Sequence, residues 1–180
     1  MSDTQQILVI GWDGGTWTVF DPLVARGVMP KLAALRARGS HGVMRSTMPP
    51  VTAPAWSTLI TGLGPQQHGI FGFMEGMLFG ETLGAAGRDA RPASSLSLRG
   101  RTLFDILGTA GRRVLSVNLP LTYPPREVNG VLISGMMTPQ NAATFTYPPT
   151  LADELTDYRI DINHSSNREE RGRLVSQLSK

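Results

Sequence analysis

Thr52 is the residue of this chain best placed to act as a nucleophile. It stands in the stretch Met48-Pro-Pro-Val-Thr-Ala-Pro-Ala-Trp-Ser-Thr-Leu-Ile-Thr-Gly62, where a proline-stiffened loop leads into an apolar run that ends at a glycine. A hydroxyl at the amino end of a helix lies near free backbone N–H groups and the positive end of the helix dipole, which stabilise a phosphoryl oxygen. The same position suits an ordinary N-cap, and a threonine hydroxyl is a poor nucleophile unless a base or metal lowers its pKa. Taken alone, the residue favours the cap.

Asp13 is the candidate partner of that hydroxyl. The run Ile7-Leu-Val-Ile-Gly-Trp-Asp-Gly-Gly15 ends a hydrophobic, strand-like segment on this aspartate. Asp-Gly is a strong turn dipeptide, so a turn former and a metal ligand fit the residue about equally well when it is taken alone. Carboxylates that follow strands are also where α/β enzymes bind hard or borderline cations. A strand-end carboxylate and a helix-start hydroxyl together indicate metal-assisted hydrolysis of a phosphate or sulfate ester.

The elements that would carry these side chains alternate between strands and helices. The predicted strands cover residues 7–10, 41–46, 113–117, 130–134 and, at an edge, 158–162. The predicted helices cover residues 20–25, 30–38, the run after Thr52, 102–110, 149–155 and 165–180. This order predicts an α/β fold with a mostly parallel central sheet flanked by helices. Asp13, Thr52 and Asn118 follow predicted strands or their connections, at the edge where such folds bind ligands.

Composition narrows the class of protein. With 41% hydrophobic and 17% charged residues the chain can bury a core, and its length fits one domain. The 17 basic and 14 acidic residues give a net charge of +3, but the basic residues are dispersed, so no nucleic-acid polymer is expected as a partner. Cysteine is absent, which excludes disulfides and thiolate metal sites. Without a signal-peptide pattern or a run of about 20 apolar residues, no membrane association and a cytoplasmic location are expected.

Four short motifs follow one another in a fixed order. They are Val9-Ile-Gly-Trp-Asp-Gly-Gly15, Pro49-Pro-Val-Thr-Ala-Pro-Ala-Trp56, Thr61-Gly-Leu-Gly-Pro65 and His68-Gly-Ile70. Together they resemble the alkaline phosphatase superfamily, in its type I phosphodiesterase/nucleotide pyrophosphatase branch. Two later segments, Asn118-Leu-Pro-Leu-Thr-Tyr-Pro-Pro125 and Ser134-Gly-Met-Met-Thr-Pro139, look like a bacterial subgroup of that branch.

The resemblance covers nearly the whole chain and implies an alkaline phosphatase-like fold. Residues 1–180 are then expected to be the N-terminal portion of a single catalytic domain, incomplete at its C-terminus. Residues 71–100, which are rich in Gly, Met, Ser and Ala and have weak periodicity, are predicted to form a surface excursion.

The resemblance also implies roles for individual residues. Thr52 would be the catalytic, covalent nucleophile and a metal ligand, Asp13 a ligand of the same metal, and the backbone N–H of Ala53 part of the phosphate-binding site. The implied cofactors are two divalent metal ions, usually zinc, of which one activates the hydroxyl and the other stabilises the leaving oxygen. The implied partner is a small phosphate ester, whose phosphoryl group passes through a phosphothreonine to water. His68 is interpreted as a structural element and not as a ligand.

The chain departs from the family pattern in two places. Nucleotide pyrophosphatases carry a phosphate-binding asparagine shortly after His-Gly-Ile, where this chain has Phe73, and this disfavours nucleotide pyrophosphatase specificity. The family completes its metal site with further Asp and His residues, including an Asp-His pair, whereas this chain has only three histidines and no such pair. Because catalytic zinc normally keeps three protein ligands, we expect the remaining ligands outside this chain and little or no activity from the 180 residues alone.

Two alternatives stay open. The first is a phosphomonoesterase or phosphonate hydrolase of the same superfamily; a sulfatase is disfavoured, because its nucleophile motif differs and the chain has no cysteine. The second is a non-catalytic remnant or binding module of the same fold, which would bind no metal and form no phosphothreonine. A dinucleotide-binding module and a serine esterase are both excluded by the absence of their glycine-rich motifs.

Overall fold

The computed structural model describes residues 6–75, 91–156 and 158–160. The chain divides into two compact units, Met1–Arg45 and Ser46–Lys180, and each is described by itself. The described residues of the first unit form two helices, α1 (Trp17–Ala25) and α2 (Pro30–Arg38). Thr16 caps α1, since its hydroxyl oxygen accepts a hydrogen bond from the backbone N–H of Thr18 at 3.4 Å. Pro30 opens α2 at a position where its missing N–H costs nothing. The helix predicted at 30–38 is confirmed with its bounds, and the one predicted at 20–25 is confirmed with an earlier start at Trp17.

Side-chain contacts around Trp17 hold the first unit together. The Trp17 indole N–H donates to the carbonyl of Gly42 at 2.8 Å, and the Arg36 guanidinium lies 4.5 Å from the centre of the indole ring. Arg36 also pairs with Asp21 at 2.6 Å, and the His41 ring meets Trp17 edge-on at 6.0 Å. None of the described residues of this unit is fully buried, so these surface contacts take the place of an apolar core.

The strands predicted at residues 7–10 and 41–46 are not formed, and that prediction is wrong. The side chains from Ile7 to Ile10 are 71–83% exposed, and no strand lies among the described residues of the first unit. An apolar strand is buried on both faces only inside a sheet that supplies hydrogen-bonded neighbours. The described residues around 7–10 supply none, so an apolar run of the right composition remains irregular.

The described residues of the second unit form three α-helices and a three-stranded sheet, besides a 3₁₀ helix. The helices are α3 (Thr52–Thr61), α4 (Pro65–His68) and α5 (Leu103–Thr109); the strands are β1 (Val114–Leu119), β2 (Gly130–Ser134) and β3 (Thr146–Tyr147). The strand order is β1-β2-β3, in which β1 and β2 are parallel and β2 and β3 antiparallel. The predicted α/β class is therefore confirmed as a small α/β unit, but its sheet is mixed.

The core of the second unit joins α3 to the segments that follow it. Its buried apolar residues form one cluster, which consists of Ala53, Ile60, Ile70, Ala93, Leu98 and Leu121. Partly buried side chains of Phe73, Phe104, Leu119 and Met137 pack against this cluster. The amino end of α3 and the segments after β1 and β2 thus share one packed core.

Several other predictions can be compared with the described residues. The segment predicted as a helix at 149–155 is a 3₁₀ helix, Pro149–Glu154, while α4 and the short β3 were not predicted. Residues 158–160 form no strand. Three predicted regions lie outside the described residues: the rest of that strand, the helix at 165–180 and residues 76–90 of the excursion. Within the described part of residues 71–100, Met74 and Pro92 form an antiparallel bridge. Among the helices of the described ranges, none combines the length and apolarity needed to cross a bilayer.

Candidate active site at the amino end of helix α3

Helix α3 begins at Thr52 because the chain before it is extended. Val51 has φ −118° and ψ 149°, which places it in the N-cap position, and Thr52 is the first helical residue. The helix ends at Gly62, whose φ of 68° is the left-handed conformation that glycine adopts without steric cost. The apolar face of α3 reaches the core through Ala53 and Ile60.

The Thr52 side chain does not cap this helix. Val51 occupies the N-cap position and its side chain makes no cap hydrogen bond, while the partly buried Thr52 makes none with its hydroxyl to any described residue. The ordinary role of a threonine at a helix start is thus unused here. The hydroxyl remains free to act on a ligand.

The first turn of α3 leaves few backbone donors free. The N–H of Ala55 is bonded to the carbonyl of Val51 at 3.1 Å, and Pro54 has no N–H. The N–H groups of Thr52 and Ala53 therefore remain, and neither bonds to a described residue. Since the first N–H groups of a helix have no partner within it, these two point to an anion site beside the Thr52 hydroxyl.

His68 packs against the same helix. Its ring is fully buried, its Nδ1 accepts the backbone N–H of Ile70 at 3.1 Å, and its Nε2 lies 3.0 Å from the Thr58 hydroxyl. Burial lowers the pKa of His68, and a hydrogen bond to the carbonyl of Pro54 opposes that shift in part. Both ring nitrogens are thus engaged by the protein, which supports the interpretation of His68 as a structural residue.

Asp13 lies in a tight turn of the first unit. The Gly15 N–H donates to the Trp12 carbonyl at 3.2 Å, and Gly14 at the third position of this turn has φ 69°. The turn explains the Asp-Gly-Gly sequence, since positive φ at that position favours glycine. The Asp13 carboxylate itself is exposed and bonds to no described residue, so the turn leaves it available as a ligand.

The described side chains can be tested against the implied zinc site. Asp13 and Thr52 offer oxygen atoms of the right chemistry, one from each unit. No group of three or more His, Cys, Asp or Glu side chains lies together among residues 6–75, 91–156 and 158–160. Because a catalytic zinc site normally has three protein ligands, the described residues do not complete one.

Two concave regions of the second unit lie away from Thr52. A cavity of about 20 Å³ is lined by Arg126 among others, and a shallow groove of about 450 Å³ runs past Asp105, Glu127 and Tyr147. Thr52 lines neither of them. The candidate site is therefore defined by its free polar groups and not by the depth of a pocket.

Asn118 is a candidate ligand-edge residue whose position the sequence misplaced. It was predicted to follow a strand, but it lies within β1, at the irregularity between Val117 and Leu119. Its φ is 57°, in the left-handed region. The asparagine and the proline two residues later were the available signals, since asparagine tolerates this conformation better than other non-glycine residues.

Comparison with known proteins agrees with the motifs. No curated protein and no solved structure gives a significant match to the chain. The family model described as type I phosphodiesterase/nucleotide pyrophosphatase matches residues 7–177, a range that includes Asp13, Thr52 and both later motifs. The chain therefore belongs to the type I phosphodiesterase/nucleotide pyrophosphatase family.

Proposed function

We propose that this chain carries the nucleophile of a metal-dependent phosphodiesterase-type hydrolase, and that Thr52 is the residue that becomes phosphorylated. The observation that carries the proposal is the free Thr52 hydroxyl at the first position of α3, beside the unpaired N–H of Ala53. Membership of the family supports the reaction class, the hydrolysis of small phosphate esters.

The amino end of α3 suits the charge that develops in such a reaction. The N–H groups of Thr52 and Ala53 and the helix dipole would together stabilise the non-bridging oxygens of the phosphoryl group. Ala53 packs in the core, which holds the backbone of the first turn of α3 in a fixed position. A donor that need not reorganise is worth more to a transition state than a mobile one.

The reaction proceeds in two displacements at phosphorus. In the first, Thr52 Oγ1 forms a bond to phosphorus, the bond to the leaving oxygen breaks, the hydroxyl proton passes to a base or to solvent, and the leaving group departs as an alcohol after protonation. In the second, water attacks the phosphothreonine, and the P–O bond to Thr52 breaks. The products are a phosphate monoester and the restored hydroxyl, so the chain is unchanged after one cycle.

The proposal includes two divalent metal ions, for which zinc is the expected identity. When bound, such ions lower the pKa of a hydroxyl and stabilise a leaving oxygen. We assign Asp13 and Thr52 as ligands of the same ion, and the other ligands lie outside the described residues. With so few ligands from its described residues, we expect the 180-residue chain to capture a phosphoryl group slowly and not to turn over.

Covalent capture tests this proposal. The 180-residue chain is incubated with zinc and bis(4-nitrophenyl) phosphate, nitrophenol release is followed, and the protein is mapped by mass spectrometry. We expect no more than one equivalent of nitrophenol and an adduct on Thr52. The variant Thr52→Val keeps the shape and removes the hydroxyl, so it should form no adduct, whereas Thr52→Ser should retain it.

Each other outcome changes the proposal in a defined way. Turnover that requires Thr52 would keep the nucleophile and overturn the expectation of low activity. The absence of any adduct, together with no zinc binding by calorimetry, would favour a non-catalytic module. Faster capture from 4-nitrophenyl phosphate than from the diester would replace the phosphodiesterase by a phosphomonoesterase.

A further inference from the structure

The His68 residue joins three segments of the second unit at one buried point. Its Nδ1 accepts the backbone N–H of Ile70 at 3.1 Å, and its Nε2 lies 3.0 Å from the Thr58 hydroxyl on α3. Its backbone carbonyl accepts the N–H of Arg99 at 3.0 Å. Helix α3, the end of α4 and the chain at residue 99 therefore meet at this histidine.

A further contact brings the ring to the first turn of α3. The Nε2–H is hydrogen-bonded to the carbonyl of Pro54, which lies two residues after Thr52. His68 and Pro54 are both fully buried, so this contact is shielded from water. The ring thus contacts α3 at its first turn, through Pro54, and at its second turn, through Thr58.

The same histidine fixes the packing around Ala53. Ile70, whose N–H the ring accepts, and Leu98 belong to the same buried cluster as Ala53. Ala53 directly follows Thr52, and its backbone N–H bonds to no described residue. His68 therefore holds both the helix and two apolar segments that share a core with its amino end.

An apolar side chain of similar size would fill this position without the cost of removing a polar ring from water. Burying a polar group is unfavourable unless its hydrogen bonds are made, and here both ring nitrogens are bonded. What the imidazole adds to packing is direction, because its two bonds set the distance between α3 and the backbone of Ile70. A buried network whose members are all satisfied makes its surroundings rigid.

We propose that His68 is a positioning residue, which sets the place of the Thr52 hydroxyl and the Ala53 N–H through the contacts of its Nε2 with α3. It acts through the helix and not by contact with the substrate. The inference rests on the proposed function, because the position matters only if Thr52 attacks phosphorus. Displacing an attacking group by about 1 Å can cost about a hundredfold in rate, so contacts away from the reacting atoms can control the reaction.

Two replacements separate the roles of the ring nitrogens. In His68→Asn the amide can replace Nδ1 and accept the N–H of Ile70, but it is too short to replace Nε2 at Thr58. In His68→Gln the longer amide can replace Nε2 and loses the bond to Ile70. Both variants should be less stable than the wild type, since each lacks one buried hydrogen bond. Only His68→Asn should slow phosphoryl capture at Thr52, by about tenfold or more, while His68→Gln should stay within about threefold of the wild type.

The assay is the single capture of a phosphoryl group from bis(4-nitrophenyl) phosphate by the 180-residue chain with zinc. The rate constant of nitrophenol release and the diester concentration at half-maximal rate are measured separately, at a temperature where circular dichroism shows each protein folded. A misplaced nucleophile should lower the rate constant and leave the half-saturating concentration within about twofold. Loss of folded protein would instead lower the amount of nitrophenol released.

Thr146→Val is the matched control for stability. Thr146 is buried in β3, and its hydroxyl donates to the carbonyl of Pro148 at 2.9 Å, but it is not part of the cluster around Ala53. This variant loses a buried hydrogen bond elsewhere and should capture at the wild-type rate. Thr58→Val removes a partner of Nε2 and leaves the ring in place, so it should slow capture, and it carries the test if His68→Asn does not fold.

Equal rate constants in His68→Asn and the wild type would overturn the positioning role while the nucleophile of the proposed function stands. An equal loss in His68→Gln or in Thr146→Val would also overturn it, since the rate would then follow stability and not the contacts of Nε2. If the wild type itself forms no adduct on Thr52, the proposed function fails and the positioning role fails with it.

Discussion

The buried ring of His68 offers the sharpest prediction about the support of the candidate site. His68 is the last residue of α4 and contacts α3 through Thr58 and Pro54. Since Nδ1 accepts the N–H of Ile70, the neutral ring carries its proton on Nε2. Replacing this side chain therefore changes both the packing and the hydrogen bonding beneath the first turn of α3.

The magnitude follows from what each replacement leaves behind. His68→Ala opens a cavity in a fully buried position and leaves the Ile70 N–H and the Thr58 hydroxyl without their partner. We expect a loss of about 3 kcal/mol in the free energy of unfolding, since each orphaned group and the cavity contribute. At about 2–4 °C per kcal/mol for a chain of this size, the melting temperature should fall by about 6–12 °C.

His68→Asn separates the two hydrogen bonds. The Asn oxygen can take the place of Nδ1 and accept the N–H of Ile70, while the contact with Thr58 is lost. The expected loss is about 1–2 kcal/mol, less than for alanine. The exposed neighbour Gln66 supplies the control, and Gln66→Ala should change the free energy of unfolding by no more than about 0.5 kcal/mol.

The pH dependence of the free energy of unfolding tests whether the buried His68 ring is neutral. Burial lowers the pKa of His68 below its ordinary 6.5, so in acid the unfolded chain takes up a proton that the folded chain refuses. The wild type should therefore lose stability as the pH falls from about 6.5 towards the lowered pKa, and His68→Asn should lack this component. Urea unfolding at pH 8 and pH 5.5 measures it, and the wild-type advantage should shrink at pH 5.5. An advantage that stays constant or grows would refute a neutral, buried His68.

Three further perturbations test other parts of the chain. Gly135→Ala should lower the free energy of unfolding by about 2 kcal/mol, because a Cβ there collides with backbone, whereas Gly42→Ala, which meets nothing within 4 Å, should have little effect in the same melts. Asp105→Asn weakens the capping box of α5 and should lower the free energy of unfolding by about 1 kcal/mol at pH 7. Partial burial alone would raise the pKa of Asp105, but hydrogen bonds from Thr102 and the nearby arginines lower it. Urea melts should therefore show the difference between the two proteins vanishing as the pH falls through that lowered pKa. Asp13→Asn should weaken zinc binding in calorimetry by about tenfold or more, while Asp21→Asn, whose carboxylate is paired with an arginine, should not; equal affinities would remove Asp13 from the ligand set.

Local signals in the sequence were enough to predict most of the helices. Pro30 and Gly39 bound α2 as predicted, and Gly62 ends α3 in the left-handed conformation. These residues act through their own backbone, so their effect does not depend on distant partners. The nucleophile candidate was found in the same way, from a hydroxyl beside a proline at a helix start.

Strands were predicted less well than helices. A strand needs hydrogen-bonded partner strands, and the local sequence does not show whether they are present. The run at 7–10 has the composition of a buried strand, yet it is irregular and exposed. The segment at 130–134 has a similar composition and forms β2, because β1 and β3 pair with it. Composition alone does not separate these two cases, since what differs is the hydrogen-bonded partner.

The residues around the amino end of α3 determine which backbone donors the proposed anion site can use. Val51 takes the N-cap position with a side chain that cannot accept a hydrogen bond, and the Ala55 N–H is already bonded to its carbonyl. Pro54 removes a further donor, and its ring is buried against the core. The N–H groups of Thr52 and Ala53 are left without a described partner, as is the hydroxyl of Thr52. A polar side chain at position 51 could accept the N–H of Ala53 from within the chain, so an apolar side chain there leaves that donor for an external ligand.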